Sequence, residues 1–153
     1  MADCVDRVLS IAEVHDLLCA SREGDVDAAD LVRRLAGTLG HGLGAATHTT
    51  TLEPVLVSGD AATSVALVFC ELYANALEHG GGDVHVTVRR DAAAQVVVEV
   101  RDHGPGLPDG FDPTASLGLK IASALAHDDL GGSLELAAAA PGTRATLRFG
   151  TAR

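Results

Sequence analysis

Residues 60–79 constrain this chain more than any other stretch. Val65, Leu67, Val68, Phe69, Leu72, Ala76 and Leu77 follow one another there with no Gly or Pro between them, and on a helix they cover nearly the whole circumference. A helix that is apolar all round has to be wrapped by the rest of the molecule. With 153 residues, 47% of them hydrophobic, the chain can bury one full core but not two. Aromatic residues make up 3% and Trp is absent, so Ala, Val and Leu are expected to fill that core. Within the same helix Glu71, Asn75, Glu78 and His79 fall at steps of four, three and one and project from roughly one side. A solvent-facing stripe is the ordinary explanation and suits Glu78. Asn75 fits it less well, because Asn is a poor helix-interior residue and its neighbours here are Ala, Leu and Tyr. A carboxylate one turn before an amide is also an oxygen-ligand pair of the kind a hydrated Mg²⁺ accepts, since that ion keeps several waters and takes one or two protein ligands.

The flanking periodicities supply what wraps the helix. Apolar residues recur at helical spacing over residues 5–18, with Asp3 as a possible N-cap, and again at Ala28, Leu31, Val32, Leu35 and Leu39, where Asp25 or Asp27 can cap. Residues 47–57, rich in Thr and Val, read as extended. Two strands are expected at 84–89 and 96–101, joined by residues 91–94, followed by a Gly/Pro-rich loop over 103–113. A helix over 117–126 and strands at 133–138 and 144–149, with Pro141-Gly142 at their turn, complete the chain. Helix, helix, strand, helix, hairpin, loop, helix, hairpin is the order of an α+β fold: a mixed, mainly antiparallel sheet with helices on one face.

Two further segments have chemical potential. Asp102-His103-Gly104-Pro105-Gly106 directly follows an expected strand. A carboxylate at a strand end can accept a hydrogen bond from an exocyclic amine, and glycines let the backbone approach a flat base or a phosphate; an ordinary Asp/Gly/Pro turn is the competing reading. Ser116-Leu117-Gly118-Leu119 opens a helix whose free N–H groups and positive dipole end suit an anion, although Ser116 serves equally as a plain N-cap.

The formal net charge of −10 argues against nucleic acid or an anionic membrane as a bulk partner. Cys4, Cys19 and Cys70 lie at no metal-ligand spacing, inside apolar helical patterns, and read as buried thiols of a reducing compartment. No apolar stretch reaches the length of a membrane span and the first residues lack a signal-peptide pattern, so a cytoplasmic location is expected.

Taken in order, the motifs resemble one family. Glu71 to His79 is similar to the N box, Asp102-x-Gly104-x-Gly106 to the first glycine box, and Ser116-Leu-Gly118-Leu119 to the second glycine box of the Bergerat-fold ATPases shared by gyrase, MutL and histidine kinases. Gly142-Thr143 resembles the closing Gly-Thr element of that family. The segment Arg7-Val-Leu-Ser-Ile-Ala-Glu-Val-His15 resembles the later dimerisation helix of the second dimerisation-and-phosphoacceptor subfamily of histidine kinases. The resemblance implies a two-layer sandwich over residues 25–153, preceded by the latter part of a dimerisation-type helix over 1–22. It implies ATP and Mg²⁺ as cofactors, Glu71 as catalytic base and Asn75 as the Mg²⁺ ligand. It further implies an ATP site formed by Asn75, His79, Asp102, Gly104, Gly106, Ser116, Leu117, Gly118, Leu119 and Thr143. Asp102 would take the adenine amino group, Thr143 would support it through water, and residues 107–115 would form a short lid.

The implied activity is that of a sensor histidine kinase domain passing the γ-phosphoryl group of ATP to a histidine. The implied partners are a phosphoacceptor helix and a response regulator, with a possible homodimer through the N-terminal helix. An anti-sigma-factor-like serine kinase and a nucleotide sensor without transfer activity are the alternatives. The family's phosphoacceptor segment is not found here. His15 sits elsewhere in the motif, and His41, His48, His85, His103 and His127 lack acceptor context. The chain therefore reads as the donor half of a kinase, either an excised fragment or a stand-alone domain.

Overall fold

The computed structural model describes residues 24–43, 47–79, 83–107, 109–112, 116–139 and 141–151, together with Ala12 and Asp16. The remainder of the expected helix over 5–18, with His15, Cys4 and Cys19, lies outside the described residues. So do parts of the expected lid, at 108 and 113–115.

The elements run β1 (Val26–Asp27), α1 (Ala28–Leu43), β2 (Thr47–Leu52), β3 (Leu56–Val57), α2 (Gly59–His79), β4 (Asp83–Arg90) and β5 (Val96–Asp102). After the loop come α3 (Leu117–Ala124), a π-helical turn (Leu125–Asp129), β6 (Ser133–Ala138) and β7 (Thr143–Phe149). Five strands form one sheet in the order β2-β4-β5-β7-β6. β2 runs parallel to β4 and every other pairing is antiparallel, so the sheet is mixed and mainly antiparallel, as expected. β1 and β3 pair separately as a short antiparallel ribbon.

The period-2 pattern of the strands decides which face the helices cover. Val84, Val86 and Val88 of β4, Val96, Val98 and Val100 of β5, and Ala145, Leu147 and Phe149 of β7 are all buried on the side that meets α2. Each buried Val or Leu contributes about 1.5–3 kcal/mol relative to exposure, so these rows anchor α2 more firmly than its own propensity could. Val65, Val68, Phe69, Leu72, Tyr73 and Ala76 bury nearly the full girth of α2, and Val32, Leu35 and Ala36 of α1 pack into the same core. Small side chains supply most of the core. Its largest fully buried members are nonetheless rings: Tyr73, Phe69 and Phe149, with the first two stacked at 5.3 Å between centroids.

The boundaries have local causes. Asp27, one of the two candidate caps, takes the role: its Oδ1 accepts from the Ala29 amide at 3.0 Å and from the Val55 amide at 3.1 Å. That second bond, with Ala28 N–H donating to Val55 O at 2.8 Å, divides the expected extended stretch 47–57 into β2 and β3. Ser58 Oγ accepts from the Ala61 amide and starts α2 at Gly59, one residue before the sequence-based boundary. At the β4–β5 turn, Asp91 Oδ1 accepts from the Ala93 and Gln95 amides, holding Ala94 at φ 62°. The end of α3 departs from expectation, widening into a π turn in which the Leu130 amide reaches back to Leu125 O. Ser64 Oγ donates to Asp129 Oδ2 at 3.1 Å, fastening that turn to the first half of α2.

Candidate functional site

A cleft of about 510 Å³ opens between α2, the ends of β5, β6 and β7, the loop after β5 and the start of α3. Its walls are Leu72 and Ala76 from α2, Val100 from β5, Leu136 from β6, Ala145 from β7 and Leu119 from α3. A flat apolar molecule fits such a slot.

Asp102, the last residue of β5, stands at one end and is only 7% exposed. Its Oδ1 accepts from the Gly104 amide at 3.0 Å and from the Thr143 amide at 3.1 Å. Among the described residues its Oδ2 has no hydrogen-bond donor, and Asp102 itself lines the cleft. Gly142 makes this arrangement possible. It has φ +98°, and a Cβ there would lie 2.1 Å from Asp102 O and 2.9 Å from Asp102 Oδ1. Gly106, at φ +83°, approaches Gly142 O so closely that a Cβ would sit 3.3 Å away.

The other end is built from helices. Asn75 on α2, half-buried, lines the cleft together with Ser116 and Leu119. Ser116 is the N-cap of α3, with extended backbone at φ −96° and ψ 127°, and its Oγ accepts from the Leu119 amide at 3.4 Å. Glu71, one turn before Asn75, does not line the cleft wall but sits against Gly118, where a Cβ would lie 2.0 Å from Glu71 Oε1. Asn75, Asp102, Gly106, Ser116, Leu119 and Thr143 are therefore brought together around one space, with Gly104 and Gly118 held beside it through Asp102 and Glu71. His79 is the last residue of α2, and its side chain lies outside the described residues. Leu117 points outward at 73% exposure, so only its backbone faces the site's helix start.

The chemistry of the two ends differs. Asp102 presents an acceptor at the mouth of an apolar slot. The start of α3 presents the positive end of a helix dipole. Among the described residues no cluster of three or more His, Cys, Asp or Glu could hold a metal ion, so a cation here would keep most of its water. Cys70, the neighbour of Glu71 on α2, has its thiol pushed up to about 12 by burial and then by the Glu71 charge, which leaves it a poor nucleophile. Burial also pushes the Tyr73 phenol up, and among the described residues the Tyr73 hydroxyl has no hydrogen-bond partner.

Sequence reasoning expected Leu119 in the site and residues 107–115, which include the lining residues Leu107 and Phe111, as a lid, but it did not find Pro105 or the apolar walls Leu72, Ala76, Val100, Leu136 and Ala145. Phe111 offered a signal, as an aromatic residue alone in a Gly/Pro-rich segment. The wall residues offered none, since Val100, Leu136 and Ala145 look like any other sheet positions.

The family model of histidine kinase-, DNA gyrase B- and HSP90-like ATPases matches residues 60–153. The chain belongs to that family. Within this ATPase family it is similar to the sensor histidine kinase PdtaS of Mycobacterium tuberculosis, with 32% identity over 165 residues that cover 100% of this chain and 33% of the relative. PdtaS of Mycolicibacterium smegmatis is 34% identical over 146 residues, covering 88% of this chain and 29% of that one. The chain thus spans about a third of the length of these relatives. Among solved structures, the histidine kinase domain of the Erythrobacter litoralis EL346 blue-light activated kinase superposes with a TM-score of 0.74 at 25% identity, covering 82% of this chain and 62% of that one. The ATP binding domain of PrrB from Mycobacterium tuberculosis shares the fold, with a TM-score of 0.69 at 24% identity over 85% of this chain and 98% of that one. The ATPase domain described here is accordingly a histidine-kinase-type ATP-binding domain, and the anti-sigma-factor-like alternative is not favoured. No helix among the described residues is long and apolar enough to cross a membrane.

Proposed function

We propose that this domain is the phosphoryl donor of a two-component sensor kinase, binding ATP with Mg²⁺ and transferring the γ-phosphoryl group to a histidine that is not among those of this chain. The observation that carries the reading is the asymmetry of Asp102. Two backbone amides occupy Oδ1, which leaves Oδ2 to accept from the exocyclic amine of a base lying between Leu72, Ala76, Val100, Leu136 and Ala145. Thr143 supports this contact by fixing the carboxylate through its own amide. Gly104 and Gly106 let the loop close over the base, and Leu107 and Phe111 shield it from water.

From the base, the phosphates run toward the start of α3. The first-turn amides there have no intrahelical acceptor, and Ser116 and Leu119 border them. Asn75 is the residue that fits Mg²⁺, which when bound supplies charge neutralisation between the phosphates. His79, the last residue of α2, would approach the outermost phosphate. The acceptor imidazole attacks phosphorus in line. A bond forms between its nitrogen and the γ-phosphorus, the bond from that phosphorus to the bridging oxygen breaks, ADP leaves, and Glu71 accepts the proton that the ring releases. The protein's part is positioning and electrostatics, which can supply most of such a barrier reduction.

The phosphoacceptor helix would dock on Leu117 and Ile121, exposed at 73% and 52% one turn apart on α3 beside the cleft. Residues 1–22 would belong to a dimerisation-type helix and 25–153 to the donor domain, working in the cytoplasm with a response regulator downstream. Calorimetric titration with ATP, with and without Mg²⁺, tests the assignment: Asp102→Ala is expected to abolish measurable binding, and parental affinity in that variant would sink the adenine site. Phosphorylated acceptor should lose its label in acid, as phosphohistidine does; acid-stable label would point to a serine kinase instead.

A further inference from the structure

Gly118 is the second residue of α3, with ordinary helical backbone rather than the positive φ that would explain a glycine. At a helical position Ala is the better helix former, so this glycine carries a local cost with no backbone reason. The space beside it supplies one. A Cβ at Gly118 would lie 2.0 Å from Glu71 Oε1, 2.3 Å from Glu71 Cδ and 2.6 Å from Glu71 Oε2. The Glu71 carboxylate therefore fills the volume that any side chain at 118 would take, and it does so on the first turn of α3, where the Leu119 amide is held by Ser116 Oγ and the amides of Leu117 and Gly118 have no acceptor within the helix.

We infer that Gly118 is a positioning residue for Glu71: its missing side chain is the seat of that carboxylate, and the seat places a negative charge on the helix start that the phosphates of ATP approach. This rests on the assignment of ATP to the cleft and deepens it. Two anionic groups directed at one helix start repel unless a cation lies between them. The seat thereby makes tight ATP binding conditional on the divalent ion, and it holds the base at a fixed place relative to the phosphate. The far end of a glutamate is flexible, so a methyl group at 118 expels the carboxylate without unfolding the helix.

The test uses the whole chain as the parent, E71Q, G118A and the double variant. ATP and ADP dissociation constants are measured calorimetrically in EDTA and in Mg²⁺. Unit charges a few ångströms apart in a half-wet site predict that E71Q and G118A each bind ATP about fivefold more tightly in EDTA, with a smaller gain for ADP. The double variant should gain no more than either single one, because both changes remove the same charge from the same place. Parental affinity of G118A in EDTA, or additive gains in the double variant, would overturn the seat. A second readout needs no nucleotide. The side-chain carboxyl ¹³C resonance of Glu71 is expected to move in G118A while the thermal midpoint stays at or above that of the parent, and an unmoved resonance would also overturn it. Failure of the ATP assignment looks different: Asp102→Ala would then bind ATP like the parent while the Glu71 resonance still responds to Gly118→Ala.

Discussion

At the Asp102 end of the cleft the polar geometry is set by backbone: two amides hold the carboxylate, and a glycine at positive φ packs against the carbonyl of the same residue. At the Glu71 end it is set by side chains on two helices, with a serine cap, an amide and a carboxylate converging on the start of α3. The first end is tied into the sheet, with Asp102 paired to Val84 of β4 and Thr143 to Ala138 of β6, so it cannot change shape without disturbing the sheet. The second can move a side chain at little cost to the fold. On the proposed reading, recognition of a rigid base and handling of a charged, reacting phosphate would fall to the parts of the molecule with the matching stiffness.

If that contrast holds, Gly142→Ala is the most damaging small change available. A methyl group 2.1 Å from Asp102 O, on a backbone at φ +98°, should destabilise the fold by about 2–4 kcal/mol and weaken ATP binding by about a hundredfold or more. Denaturant unfolding and calorimetry check both; an undisturbed variant would show that the rigid end is not rigid. Asp102→Asn comes next. Its amide oxygen can still accept from Gly104 and Thr143, but a donor replaces Oδ2, so ATP affinity should fall by about 10- to 100-fold with little loss of stability. Equal losses of binding and stability would mean that the carboxylate serves the ladder and not the ligand.

The α2 end should respond to alkali. The Cys70 thiol ionises at 9.0 in the unfolded chain and at about 12 in the folded one, because burial and then the Glu71 charge oppose the thiolate. Below pH 9 both states are protonated and nothing is lost. As the pH rises from 9 toward 12 only the unfolded state releases its proton, so stability declines through that window. Cys70→Ala should remove about 1–2 kcal/mol of the decline near pH 10.5, measured as unfolding free energy against pH relative to the same variant at pH 7. An identical alkaline slope in parent and variant would refute it. The smallest effect belongs to Ser116→Ala. It removes an N-cap whose bond to the Leu119 amide is long at 3.4 Å, and should cost about 0.5–1 kcal/mol while leaving the Asp102 end's affinity for adenosine unchanged.

How far the sequence disclosed each end follows from the same contrast. Glu71, Asn75 and Ser116 stand on elements whose periodicity and capping are written in consecutive residues, and the buried helix that carries the first two is legible from its apolar girth alone. Asp102 and its glycines are visible as a motif. The fit of Gly142 against Asp102 is not, because a backbone contact between positions 40 apart leaves no mark in residue type beyond a glycine that any turn could use. The division of 47–57 into two strands was hidden for a similar reason, since it depends on the Val55 amide being claimed by Asp27. The π turn at Leu125–Asp129 was hidden because its residues are compatible with an ordinary helix, and only the tie from Ser64 to Asp129 distinguishes the two.

Asp27 has a mechanical meaning. One carboxylate oxygen holds the first turn of α1 and, 28 residues further on, the approach to β3, so it clamps the start of the helix to the ribbon strand. Since α1 packs along α2, and Leu72, Asn75 and Ala76 of α2 border the cleft, a load on this clamp would reach the site through α2.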